Sequence, residues 1–500
     1  MSNPKKQVAL IVLDGWGHRE DSTNNAVHKA CTPFFDSLWE KYPHNLLEAS
    51  GLAVGVPEGQ IGNSEVGHTT IGAGSIINSD LVRINESISS GEFGENIAFQ
   101  KMFEHVKKND SIVHALGIVG RGGVHAHSEH LFAFLKAAKE YGVKDVAVHA
   151  FTDGRDAAPY DGIENIKELQ KIIDEVEIGH VASVSGRYFA MDRDKNWDRL
   201  EKVEDIIFEC KGNICQLAPE EEIERQHKEG KTDEHVEPFM LKESPIKDGD
   251  GVFFFNYRSD RARMLSERIV NRYDTEKIYF VTMTEYDNKL NANVAFPPKN
   301  IETTLAMEVS QAGLTQVHIA ETEKFPHATY FLNGGREEPH DGEEHVMLQS
   351  NKHVKTHDEA PEMQAKGIAD AAIKGIEKGT VFTFINFANP DMVGHTAKVP
   401  AIITALETVD MELKRVIDAL DKVSGTAVII ADHGNAEVNI DQESGEKHTA
   451  HTLSKVPVIV TEKGFTLKDD KGLSDVAPTV LELLEVEKPK FMTGESLIVK

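Results

Sequence analysis

Short apolar runs recur along the chain, each ending in polar residues. Residues 8–13 (VALIVL) stop at Asp14-Gly15, and residues 381–387 (VFTFINF) run into Asn389-Pro390-Asp391. Residues 426–431 (TAVIIA) run into Asp432-His433-Gly434, and residues 456–460 read VPVIV. Nearly continuous runs of this length, rich in β-branched residues, predict buried parallel strands. Between them, residues 401–420 place apolar side chains at three- and four-residue steps, which predicts a helix. The middle of the chain repeats the alternation. It has strand candidates at 111–118, 145–149, 179–183, 251–255 and 277–281, and helix candidates at 162–176 and 199–210. This pattern predicts an α/β fold with sites at the carboxyl ends of the strands.

Five hundred residues exceed one compact core, so two or more domains are expected. Seams are expected at the small-residue stretch 72–75 and at Phe296-Pro297-Pro298-Lys299, since Pro297-Pro298 cannot continue a central strand. The charged stretch 220–237 reads as a solvated helix and loop. With 54 Lys and Arg against 82 Asp and Glu, the net charge of −28 argues against a general nucleic-acid or anionic-membrane binder. No apolar run approaches a membrane span, and the polar start at residues 1–6 has no cleavable-signal pattern. The three cysteines form no CxxC pair and suit a reducing compartment, so a cytoplasmic enzyme is expected.

Candidate chemistry gathers where strands end. Carboxylates and imidazoles at Asp14, Asp391, His395, Asp432, His433 and His451 invite divalent metals, and mixed O and N donors suit Mn²⁺ or Zn²⁺ better than Mg²⁺ alone. Asp391 and His395 are four apart, so one helical turn starting at Pro390 would set both on one face. Asp432 and His433 are adjacent, so they serve one ion only through a bent backbone, or else two neighbouring ions. Any one Asp-Gly or Asp-His after a strand reads equally as a turn or a cap. Ser64, in the glycine-rich GQIGNSEVGH, is a nucleophile candidate if a metal lowers its pKa, and otherwise an ordinary capping serine.

Ten ordered motifs are specific enough to carry a resemblance: VALIVLDGWG, GQIGNSEVGH, GGVHAHSEH, FTDGRDAAP, SGRYFAMDRDKNW, NYRSDRAR, ETEKFPHATYF, NPDMVGHT, ADHGNAE and MTGESLI. From about Val8 to Ser496 the chain closely resembles the cofactor-independent phosphoglycerate mutases, metal enzymes of the alkaline phosphatase superfamily. The resemblance implies interconversion of 3-phosphoglycerate and 2-phosphoglycerate without 2,3-bisphosphoglycerate, through a phosphoserine on Ser64. It implies two divalent ions, typically Mn²⁺. One is held by Asp391, His395 and His451, the other by Asp14, Ser64, Asp432 and His433.

A substrate bearing a phosphate and a carboxylate needs fork-shaped donors. The family match assigns this role to Arg155, Arg187, Arg193, Arg258 and Arg261, with His125, Asp156 and Lys324. Asp156 is expected to bind a glycerate hydroxyl. For His125-Ala126-His127-Ser128-Glu129-His130, the readings are a helix start with solvated histidines, a third metal site, or His125 as a substrate contact, which is favoured. Residues 1–75 and 310–500 are expected to form the phosphatase-like metal domain, with 76–309 inserted as the transferase domain. The family further implies a monomer with a small-molecule substrate and no nucleic-acid or membrane partner. A metal-dependent phosphatase and a phosphopentomutase are the rival readings, opposed by the Arg-bearing middle motifs and by Ser64. Gly120-Arg121 and the histidine and acidic content of 337–362 depart from the family pattern.

Overall fold

The computed structural model describes residues 6–212, 214–441 and 444–500. The polar start, residues 1–5, therefore lies outside the described residues. The chain divides into two compact units, Met1–Ser79 with Asn300–Lys500, and Asp80–Lys299. The second joint falls ten residues before the expected one. Leu305–Gln311 forms a helix whose Leu305 and Val309 pack into the first unit's core, so a break at 309/310 would cut through it. The first joint falls after Ser79, because Gly72-Ala73 finish the helix Ser64–Ala73 and are buried.

The first unit is built on an eight-stranded sheet. Its order is Glu343–Leu348, Gln316–Glu321, Phe382–Phe387, Val8–Leu13, Thr426–Ile430, Val456–Val460, His44–Glu48 and Lys471–Gly472. The first five are mutually parallel. Val8–Leu13 lies centrally and is buried along its whole length, which is why it is apolar at every position. One expectation is corrected here: Val456–Val460 runs antiparallel to Thr426–Ile430. A parallel neighbour needs a crossover, usually helical, and the described part of 431–455 contains no helix, so the chain turns back on itself. Burial of all five residues is what made the run look parallel.

The second unit carries a seven-stranded sheet ordered Phe239–Met240, His180–Gly186, Val146–Thr152, Val113–Ile118, Gly251–Phe254, Tyr279–Thr284 and Asn293–Phe296. All pairings are parallel except that of the short Phe239–Met240 edge. The helix Gly162–Val176 spans the predicted residues. The charged stretch is less solvated than expected. The helix Pro219–Lys228 buries Glu222 and Gln226, and Asp233 is buried as well, accepting from Gly162 N at 2.7 Å.

Candidate metal centre and anion pocket

In the first unit, the ends of four parallel strands deliver the predicted side chains to one place. Val8–Leu13 is followed by Asp14, and Gly15 then turns with φ +78°. A Cβ at Gly15 would lie 2.7 Å from Asp391 Cα, so this close approach requires glycine. Phe382–Phe387 leads into the helix Asn389–Gly394, with Pro390 in its first turn and Asp391 beside it. His395 closes that turn, donating its N–H to Asp391 O at 3.0 Å, so the pair shares one face as the spacing predicts. Thr426–Ile430 ends just before Asp432 and His433, and a bent backbone brings both into the same group. Lys324 follows Gln316–Glu321.

Two groups of potential ligands result: Asp391 with His395 and His451, and Asp14 with Asp432 and His433. Asp391 Oδ1 lies 3.3 Å from His395 Nε2 and 3.1 Å from His451 Nε2, and those two nitrogens are 3.2 Å apart. Each ring spends its other nitrogen on a carbonyl, His395 Nδ1–H on Thr449 O at 2.7 Å and His451 Nδ1–H on Gly62 O at 3.0 Å. A carbonyl only accepts, so the lone pairs of both rings point at each other and at a carboxylate. That is the arrangement a cation fits.

Ser64 opens the helix Ser64–Ala73. Its capping neighbour is Asn63, which accepts from Val66 N at 3.0 Å, so the serine hydroxyl is free of capping duty. Ser64 Oγ lies 2.9 Å from His433 Nε2 and 3.4 Å from Asp14 Oδ1. Lys324 Nζ donates to Asp14 Oδ1, Ser64 Oγ and Asp391 Oδ2, each at 2.6 Å. Lys324 thus stands among the first unit's potential ligands, whereas the other expected substrate contacts belong to the second unit.

Electrostatics makes the same case for a cation. Asp14, Asp391 and Asp432 are all buried, and Lys324 is the lysine or arginine paired with them among the described residues. Burial pushes the Asp14 carboxyl above its ordinary value, and repulsion from Asp432 adds to this. Burial also acts on Asp391, but Lys324 and the neighbouring histidines outweigh it and hold that carboxyl well below its ordinary value. Asp432 Oδ2 accepts no hydrogen bond; His68 Nδ1, 3.3 Å away, donates to Ser64 O at 2.9 Å. Three buried carboxylates against one ammonium leave negative charge that divalent cations would neutralise. The residues present therefore fit the metals the motifs imply.

The candidate anion pocket lies in the second unit, again at the ends of parallel strands. His125 follows Val113–Ile118, Arg155 and Asp156 follow Val146–Thr152, Arg187 and Arg193 follow His180–Gly186, and Arg258 and Arg261 follow Gly251–Phe254. Buried Arg187 donates to Asp153 Oδ1 at 2.5 Å and Asp156 Oδ2 at 2.6 Å. Asp260 is held by Arg193 Nη1 and Arg258 Nε, each at 3.1 Å. Arg261 donates to Met191 O at 3.1 Å, and Arg155 to Glu234 Oε1 at 3.3 Å. His125 lies 3.5 Å from Asp156 and 3.6 Å from Asp260. Burial, then Arg187, lowers its pKa to about 4, so it is neutral near pH 7. A cavity of about 370 Å³ is lined by Arg155, Arg187, Arg193 and Arg261 together with Tyr188, Asp192, Asp194, Arg199, Glu234 and His235. His125 and His130 are buried rather than solvated, and His127 caps the helix Ser128–Glu140. No candidate metal group among the described residues includes any of the three.

Several residues with evident roles escaped the sequence reading. His68 and Asn386 brace the centre, Asn386 Nδ2 donating to Asp14 Oδ2 at 2.8 Å and to His68 Nε2 at 3.0 Å. Asn435 Nδ2 donates to Asp391 Oδ1 at 2.7 Å. All three sit inside predicted strands or quoted motifs. His68 lies four residues after Ser64 on one helix face, which is the one spacing signal that could have exposed it.

Carboxylates, imidazoles and a serine converging at strand ends define a metal-dependent enzyme, and residues 6–488 match the Metalloenzyme superfamily. Curated relatives narrow the class. The chain is 47% identical over 511 aligned residues to the 2,3-bisphosphoglycerate-independent phosphoglycerate mutase of Listeria monocytogenes serotype 4b (strain F2365), covering 99% of this chain and 100% of that one. It is 44% identical to the enzyme of the same name from Nostoc punctiforme, covering 99% and 96%. A crystal structure of Leishmania mexicana phosphoglycerate mutase at low cobalt concentration aligns over 100% of this chain and 99% of that one, with 30% identity and a TM-score of 0.59. The chain belongs to the 2,3-bisphosphoglycerate-independent phosphoglycerate mutases.

Proposed function

We propose that this chain interconverts 3-phosphoglycerate and 2-phosphoglycerate, with Ser64 as the transient phosphoryl acceptor. The observation that carries this reading is Ser64 Oγ, set 2.9 Å from His433 Nε2 and 2.6 Å from Lys324 Nζ amid both ligand groups. Asp391, His395 and His451 would hold one divalent ion, and Asp14, Ser64, Asp432 and His433 a second; Mn²⁺ suits these mixed donors. Bound there, the ions supply Lewis acidity, lowering the serine pKa and neutralising charge on the transferring phosphoryl group.

The chain's own residues do the rest. Ser64 Oγ, giving up its proton, bonds to phosphorus as the bond from phosphorus to the glycerate O3 breaks and O3 takes up a proton. The glycerate O2, losing its own proton, then displaces Ser64 Oγ to give 2-phosphoglycerate. Lys324 places a fixed positive charge beside Ser64 Oγ, where phosphoryl oxygens gather. The arginines around the second unit's cavity retain the glycerate through bidentate contacts while its phosphate moves. Asp156, held by Arg187 at 2.6 Å, accepts from a glycerate hydroxyl. We further place the protein in the cytoplasm as a monomer, without nucleic-acid or membrane partners. Its acidic balance and three free cysteines support this, and no helix among the described residues is long and apolar enough to cross a membrane.

The test uses the full chain stripped of metal and resupplied with Mn²⁺, given 3-phosphoglycerate without 2,3-bisphosphoglycerate. The expected result is Mn²⁺-dependent 2-phosphoglycerate with little free phosphate. Free phosphate alone would indicate a phosphatase, and neither product would refute the reading. Ser64→Ala should lower kcat by at least about a thousandfold, as loss of a nucleophile does.

A further inference from the structure

Glu437 closes the ADHGNAE motif and is fully buried. Its partners are hydrogen-bond donors. Oε2 accepts from Asn435 N at 2.9 Å, and Oε1 accepts from the Thr452 hydroxyl. Each donor leads directly to the metal centre. Asn435 Nδ2 donates to Asp391 Oδ1 at 2.7 Å and to Asp391 O at 3.3 Å. Thr452 follows His451, and its N–H donates to Gly434 O at 3.1 Å, beside His433.

The carboxylate is also wedged in place. A Cβ at Gly17 would lie 2.3 Å from Glu437 Oε2, and one at Gly434 would lie 2.5 Å from Oε1. Those glycines belong to the segments that carry Asp14 and His433. One buried carboxylate therefore touches the chain next to Asp14 and His433 and, through its two donors, fixes the approach to Asp391 and His451.

We propose that Glu437 is a positioning residue for the divalent-metal centre, locking Asn435 against Asp391 and Thr452 beside His451. This rests on the metal reading of those residues. Ligand-orienting partners of this kind commonly govern metal affinity.

Mn²⁺ binding to the metal-stripped full chain, followed by the electron paramagnetic resonance signal of free Mn²⁺, tests the proposal. Glu437→Ala should weaken binding by about 10- to 100-fold. Saturating Mn²⁺ should then restore kcat. Glu437→Gln should bind close to wild type, because its amide accepts from Asn435 N and donates to a rotated Thr452 hydroxyl. Binding by the alanine variant equal to wild type would overturn the proposal, and so would a glutamine variant as weak as alanine. Should the alanine variant fail to fold, Thr452→Val removes one arm alone: weaker binding supports the role, and unchanged binding overturns it. Asp391→Asn is the control for the underlying reading. If wild type binds no Mn²⁺, or this variant binds like wild type, the metal reading itself falls and takes Glu437 with it.

Discussion

Two clusters in the first unit use the same residue types and do opposite things. At the carboxyl ends of the strands, Asp391 meets His395 and His451 at 3.3 and 3.1 Å. Near the amino ends of Gln316–Glu321 and Glu343–Leu348, Glu343 meets His318 and His345, another trio whose atoms lie close enough to share an ion. The proton positions separate them. Glu343 Oε1 accepts from His345 Nε2 at 2.6 Å and from Asn333 Nδ2 at 2.8 Å, and Oε2 accepts from His340 N at 2.7 Å. The His318 nitrogen nearest Glu343 is Nδ1, at 3.4 Å, and its proton goes to Ala328 O at 2.8 Å. This carboxylate is saturated with N–H donors, whereas the Asp391 trio turns lone pairs inward. Donor letters therefore do not define a metal site; which ring nitrogen carries the proton, and what it faces, does.

The largest expected effect breaks the comparison if it fails. Asp391→Asn should lose Mn²⁺ and lower kcat by about a thousandfold or more, on the scale of losing a main catalytic charge. Glu343→Gln should leave bound metal and kcat/KM near wild type. Metal content by mass spectrometry, with kinetics on both variants, decides it; metal lost from the Glu343 variant would make the second cluster a metal site after all.

Next in size is stability. Glu343→Gln turns an acceptor of several buried N–H groups into a partial donor, at a cost of about 1–3 kcal/mol for the group left unsatisfied. That should appear as a lower midpoint in thermal unfolding, and an unchanged midpoint would mean the network contributes little.

A smaller effect concerns pH. Burial alone would raise Glu343, but His345, His318 and Asn333 overcome it and hold its pKa near 2, against an ordinary 4.5. A depressed acid adds stability that is complete above its unfolded pKa and is lost as pH falls through its folded one. The midpoint gap between wild type and Glu343→Gln should therefore be constant above about pH 5 and narrow below it. Burial lowers His318 to about 4, so this base also favours the folded state above its ordinary 6.5 and loses that advantage as pH falls toward 4. A gap that ignores pH would remove Glu343 ionisation from the account.

Much of the candidate metal centre was legible because its chemistry sits where strand periodicity ends. Asp14, Asp391 and Asp432 each follow an apolar run, and the i,i+4 spacing of Asp391 and His395 survives as a real helical turn. The antiparallel course of Val456–Val460 was not legible, since a strand buried on both faces looks alike in either direction. Nor was the place of Lys324, because spacing does not reveal which pocket a lone lysine enters. Glu437, Asn435 and His68 stood in quoted motifs, but what they touch depends on backbone bends between strands. The histidine and acidic content of 337–362 was visible as unusual, yet two of the groups that face Glu343, His318 and Asn333, come from outside that stretch.

The smallest expected effect supplies the solvated limit of the same comparison. Arg121 departs from the family pattern, and the structure pairs it with Glu168 at 2.6 Å and Glu129 at 3.1 Å. All three side chains are substantially exposed, so water already stabilises each charge and salt screens their attraction. Unlike Asp391, the one carboxylate this group has in excess is solvated, so it calls for no ion. Unlike Glu343, it has no buried donors that would be stranded. Arg121→Ala should therefore shift stability by no more than about 1 kcal/mol, and less in high salt. KM for 3-phosphoglycerate should be unchanged, because Arg121 spends its guanidinium on the two glutamates. A rise in KM would show that this added charge serves the anion pocket, and that exposure alone does not mark a residue as idle.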